Sequence, residues 1–149
     1  MNEQIVIDIL NYIEENLCNG LKVESIANEF HFDRSYLSRC FRKYTKISLI
    51  DYINERRIIK SIDMLMNTDE KLLKIALVNG FNSLEYFSET FYRITSFNPS
   101  SFKVNDEVKK YLPFIFENDL LKTLGINHEK IICINKIDKP KTKTLGIYK

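Results

Sequence analysis

The chain of 149 residues has few cysteines, no long apolar run, few histidines and almost no net charge, and each shortage excludes a class of protein. Its three cysteines, Cys18, Cys40 and Cys133, are an odd number, lie far apart and form no CxxC pair. Neither a disulfide framework nor a zinc site is expected, and a reducing cytosol is the natural setting. No stretch approaches the roughly 20 apolar residues that cross a bilayer, and the first eight residues carry acid without a basic cluster, so neither a membrane span nor an export signal is expected. The two histidines, His31 and His128, each lack the neighbouring ligands or carboxylates that metal binding or acid/base chemistry needs. No metal, cofactor or catalytic role is therefore read. The net charge of +2 does not by itself announce nucleic acid.

The distribution of charge says more. From Met1 to Asp33 the only Lys or Arg is Lys22, against seven acids; then Arg34, Arg39, Arg42, Lys43 and Lys46 arrive with no acid among them. A cationic strip is thus set in a nearly neutral, globular chain with apolar content ample for a core. Apolar residues at Ile5, Val6, Ile9, Leu10, Ile13 and Leu17 predict a first amphipathic helix stopped by Asn19-Gly20. A short helix over 23–30 follows. Asp33 is placed to cap the next helix, to about Tyr44, which buries Leu37, Cys40, Phe41 and Tyr44. Ser48 is placed to cap a long helix ended by Asn67-Thr68-Asp69, and two further helices are expected over 71–78 and 83–94, separated by Asn79-Gly80-Phe81-Asn82.

Internal repetition is the most informative feature. Ile26-Ala27 returns 49 positions on as Ile75-Ala76, and Tyr36-Leu37-Ser38-x-x-Phe41 returns 50 positions on as Tyr86-Phe87-Ser88-x-x-Phe91. The second copy therefore carries one extra residue in its turn. Two copies are too few for a solenoid and fit a duplicated recognition module. In a helix-turn-helix the second helix must pack one face and offer the other to the major groove. The helix from Arg34 satisfies both: Ser35, Ser38 and Arg39 are placed to reach base edges, Arg39 by a bidentate pair to guanine, and Arg34, Arg42 and Lys43 to meet phosphates. Taken alone, such a stripe is more often a solvated helix face; the repeat is what favours recognition. The recurrent Phe81, Phe87, Phe91, Phe97 and Phe102 read as core rather than a base-stacking platform, and Tyr36 and Tyr86 as core edges.

These residues, in this order, resemble the DNA-binding domain of the AraC/XylS family over 23–103. The matching positions are Ile26-Ala27, Ser35 to Arg39 with Phe41, Tyr52, Arg57, Ile75-Ala76, Gly80-Phe81, Tyr86-Phe87-Ser88 with Phe91, and Asn98 to Lys103. The resemblance implies an all-α pair of helix-turn-helix units, joined by a linker helix, that sets two recognition helices into successive major grooves of duplex DNA as a bacterial transcription regulator. It implies Ser83, Glu85, Ser88 and Glu89 as base contacts of the second unit, with Tyr92 and Arg93 on phosphates. Lys46 and Ser96 stand where the family places glycine, and Ser61 where it places alanine. Glu89 stands opposite Arg39 in the repeat; it would be repelled by phosphate but can accept from cytosine N4, so the first unit is expected to supply most of the reading energy.

The reading divides the chain into a DNA-binding domain over 1–106 and a C-terminal extension over 107–149. In the extension 130–137 and 142–148 read as strands about a lysine-rich turn, with Pro113 interrupting any helix before them. The stretch 131–149 resembles the opening strands of a GyrI-like effector domain, as in Rob-like regulators. A small-molecule effector is expected only if such a sensor completes the protein. RNA polymerase is a candidate partner, and a helical interaction module acting on the transcription machinery is the alternative reading. An enzyme fused to such a reader is disfavoured by the lack of a reactive-cysteine cluster.

Overall fold

The computed structural model describes residues 1–104, and these form seven helices. The expectations for the extension, both strands included, lie outside the described residues. Helix α1 (Glu3–Asn16) starts where the Asn2 side chain accepts from the Ile5 amide at 3.0 Å. Next come α2 (Val23–Glu29) and α3 (Arg34–Thr45), whose first turn is capped by the Asp33 carboxylate through the amides of Ser35 (2.9 Å) and Tyr36 (3.1 Å). The linker helix α4 (Leu49–Asn67) is capped by Ser48, and α5 (Leu72–Val78), α6 (Leu84–Thr95) and α7 (Pro99–Val104) complete the order. Side-chain oxygens at the starts of α1, α3, α4 and α6 satisfy amides that a helix cannot pair internally.

Two cores share one helix. Val6, Ile9, Leu10 and Ile13 of α1 pack with Ile26 and Ala27, Leu37 and Phe41, and with Leu49, Tyr52 and Ile53 from the first half of α4. The second core joins Ile58, Ile62 and Leu65 of α4 to Ile75, Phe81, Phe87, Phe91 and Phe102. Of the phenylalanines read as core, Phe81, Phe87, Phe91 and Phe102 are buried, whereas Phe97 is half-buried and packs against them; Phe102 of α7 meets Phe91 edge-on, with ring centroids 5.2 Å apart.

The turns show why the repeat offset changes from 49 to 50. His31 and Gly80 both take positive φ, at 56° and 91°, and the amides of the following Phe32 and Phe81 donate back to the carbonyls of Ala27 (2.9 Å) and Ala76 (3.0 Å). The copies coincide to that point, and Asn82 is then the added residue before the next cap, Ser83. The ends of α3 and α6 also match. Thr45 and Thr95 are buried, and their hydroxyls donate to the Phe41 and Phe91 carbonyls at 2.7 and 2.8 Å.

Tyr44, expected inside, is exposed, and Cys40 is only half-buried. The buried stripe of α3 runs Leu37, Phe41, Thr45 in steps of four, which leaves Tyr44 on the flank, its hydroxyl donating to the Met1 carbonyl. Tyr36 and Tyr86 are also exposed rather than tucked into the core edge, at 37% and 45%.

Lys46 and Ser96 close α3 and α6 in the left-handed conformation, at φ 67° and 64°, without glycine. Ser96→Gly should therefore raise stability by about 0.5–1 kcal/mol, because the Cβ penalty at positive φ disappears. Urea denaturation of both proteins checks it; an unchanged or lower midpoint sinks it.

Candidate nucleic-acid interface

Helix α3 exposes Arg34, Ser35, Arg39, Arg42 and Lys43, while Ser38 is half-buried. Its inner face is fixed by Leu37 and Phe41, both fully buried, so the outer stripe is a consequence of amphipathic spacing. On α6, Glu85, Glu89, Tyr92 and Arg93 are exposed and Ser88 is half-buried, held by the burial of Phe87 and Phe91. Ser83 is the N-cap of that helix, its hydroxyl oxygen accepting from the Tyr86 amide at 3.1 Å.

Two of the expected phosphate cations are already paired within the chain. Arg34 meets Glu24 of α2 at 2.7 Å, with both side chains more than half exposed, and Arg93 approaches Asp51 of α4 at 3.9 Å. Exposed pairs of this kind are worth little, so an anion can displace either carboxylate at small cost.

The two units meet around Arg57 of α4. Its guanidinium, 6% exposed, donates from Nε to the Leu17 carbonyl at 2.9 Å and from Nη2 to the Leu21 carbonyl at 3.2 Å, and Gly80 lies directly against it. Burial lowers the Arg57 pKa from the ordinary arginine value. Beside it, the buried Asn54 amide donates to the Tyr86 hydroxyl at 2.7 Å. Between the units opens a cleft of 630 Å³, which brings Arg34, Ser38, Arg39 and Arg42 of α3 to face Asn82 and Tyr86 of the second unit. The remaining α6 candidates do not line it. In the first unit Tyr36 packs on Phe32 as Tyr86 does on Phe81, and its hydrogen bond with Cys40 raises the phenol pKa.

Sequence reasoning missed Asn54, Asn82 and the outward placement of Tyr86. Asn54 carried a signal: a polar residue in register with Tyr52, Ile53 and Ile58 on a helix of apolar face is a buried group in need of a partner.

A family model for a helix-turn-helix domain matches residues 26–104. The probable transcription factor PqrA of Proteus vulgaris is 32% identical over 107 residues, covering 70% of this chain and 88% of PqrA. A solved transcriptional regulator of Chromobacterium violaceum with an AraC-type DNA-binding domain superposes with a TM-score of 0.60 at 25% identity, over 67% of this chain and 90% of that one. The chain belongs to the AraC/XylS family of DNA-binding transcription regulators. The fold of this AraC/XylS member is also that of the DNA-binding domain of AdpA, solved in complex with a target DNA. The TM-score there is 0.64 at 19% identity, over 70% of this chain and 95% of that one. Among the described residues no helix is long and apolar enough to cross a membrane.

Proposed function

We propose that the first unit is the main reader of a duplex operator and the second an auxiliary one, α3 and α6 lying in successive major grooves on one face of the DNA. Base contacts fall to Ser35, Ser38 and Arg39 in the first unit and to Ser83, Glu85, Ser88 and Glu89 in the second; Arg34, Arg42, Lys43, Tyr92 and Arg93 hold phosphates. The observation that carries the reading is that one helix of 19 residues belongs to both cores and so fixes the two recognition helices to each other. Its length of about 28 Å is compatible with the roughly 34 Å between successive major grooves. The reading includes no catalytic step and no cofactor, places the domain boundary near residue 106, and sets the protein at the cytoplasmic nucleoid with RNA polymerase as its protein partner.

Selection of bound fragments from random duplexes at fixed salt should yield two short sequence blocks about one helical turn apart; a single block removes the second unit from the reading, and no enrichment removes sequence recognition altogether. On the selected site Arg39→Ala should cost roughly 1–3 kcal/mol of specific binding, and Glu89→Ala clearly less. Fluorescence anisotropy titrations measure both. Equal losses would overturn the ranking of the two units.

A further inference from the structure

We infer that the cleft between the two units also binds a small organic anion with an apolar body and one hydrogen-bond donor, and that this ligand and DNA exclude each other. Exclusion rests on the DNA reading above, because Arg39 and Arg42 serve both; ligand binding itself does not.

The cleft volume of 630 Å³ falls in the range of about 300–1,000 Å³ typical of small-molecule sites. Its charge is one-sided. Lys22, Arg34, Arg39, Arg42 and Arg57 line it against a single carboxylate, Glu24, which is engaged with Arg34 at 2.7 Å. Arg57 matters most, since its two hydrogen bonds go to neutral backbone carbonyls and its buried positive charge is met by no carboxylate within ion-pair distance among the described residues. A buried charge left uncompensated in this way favours a counter-ion.

The walls are not those of a phosphate seat alone. Ile50 and the Tyr86 ring, 46% and 45% exposed, contribute apolar surface that a sugar-phosphate backbone would not use. Asn54, 1% exposed, lines the same cleft. Its Nδ2 is engaged with Tyr86, while its Oδ1 has no hydrogen-bond partner among the described residues. A buried acceptor without a donor carries a desolvation penalty that a ligand hydroxyl or amine removes. Negative charge at the arginines, an apolar body on Ile50 and Tyr86, and a donor at Asn54 together define the ligand class.

The probe is 6-hydroxy-2-naphthoate, whose hydroxyl lies on the ring remote from the carboxylate and so carries all three features, and which fluoresces, titrated into the full chain without DNA. Saturable binding is expected, weakened about fivefold or more by Arg42→Gln, an exposed substitution that leaves both cores intact. 2-Naphthoate, lacking the hydroxyl, should bind about tenfold more weakly, and Asn54→Leu should erase that difference. Saturating operator duplex should displace the probe, and probe at ten times its dissociation constant should lower apparent DNA affinity about 11-fold. Absence of saturable binding up to about 1 mM, or binding indifferent to both substitutions, overturns the site. Probe and duplex bound together overturn the exclusion. Probe binding by a chain that binds no duplex supports the ligand site and removes the DNA reading instead.

Discussion

Gly80→Ala should destabilise the protein by at least about 3 kcal/mol, a loss visible as a large drop in the urea midpoint. Two costs combine. At φ 91° any residue with a Cβ is strained, by about 1–2 kcal/mol. The new methyl would also stand 2.7 Å from Arg57 Nε and 2.7 Å from the Leu17 carbonyl oxygen, a backbone atom that has no rotamer by which to yield. Arg57 must then move, and its bonds to the Leu17 and Leu21 carbonyls, at 2.9 and 3.2 Å, are lost with the joint between the units. His31→Ala is the internal control, since His31 holds the corresponding turn of the first unit at φ 56° but is exposed to solvent. It should change stability by less than about 1 kcal/mol. If the two substitutions cost the same, neither the backbone conformation at Gly80 nor its contact with the joint has the energetic role assigned here.

Glu14→Ala should cost about 3–5 kcal/mol. Glu14 is 4% exposed on α1, where its carboxylate accepts from Arg56 Nε at 2.7 Å, from Arg56 Nη2 at 3.2 Å and from the Tyr52 hydroxyl at 3.1 Å. The bidentate pair sits with the Arg56 side chain only 13% exposed, so truncation removes a bidentate carboxylate partner from a largely desolvated guanidinium. Replacing both partners by apolar residues, as Glu14→Leu with Arg56→Met, should be close to neutral, because the desolvation penalty disappears along with the attraction. Denaturant melts of the single and double variants decide it. A double variant as unstable as Glu14→Ala would show that the site contributes through packing rather than charge.

The Arg34 to Thr45 helix illustrates how far local pattern reaches. Its cap at Asp33, its buried Leu37 and Phe41 and its exposed Arg39 all follow from residue type and a spacing of three to four, and all are found. Tyr44 fails on the same logic. It lies at the margin of the stripe, where a large amphipathic ring can turn either way, and contact with Met1, more than forty residues away in the chain, places it outside. The left-handed ends at Lys46 and Ser96 were legible because repeat and family pattern both demand a turn there, whatever residue occupies it.

By itself the sequence determined the first six helices, the duplication, the extra turn residue and the exposed stripes of α3 and α6, since each depends on neighbours within about four positions or on comparison of one copy with the other. Only the tertiary structure decided that Arg57 would be a buried tie between units, that Glu14 would be a buried partner of Arg56, and that Asn54, Tyr86 and the arginines of α3 would share one cleft. Those facts rest on contacts across some thirty to forty residues, between side chains that on a helix diagram look like ordinary polar surface. Their burial arises only when two separately adequate cores are pressed together along one helix, a geometry that no local periodicity encodes.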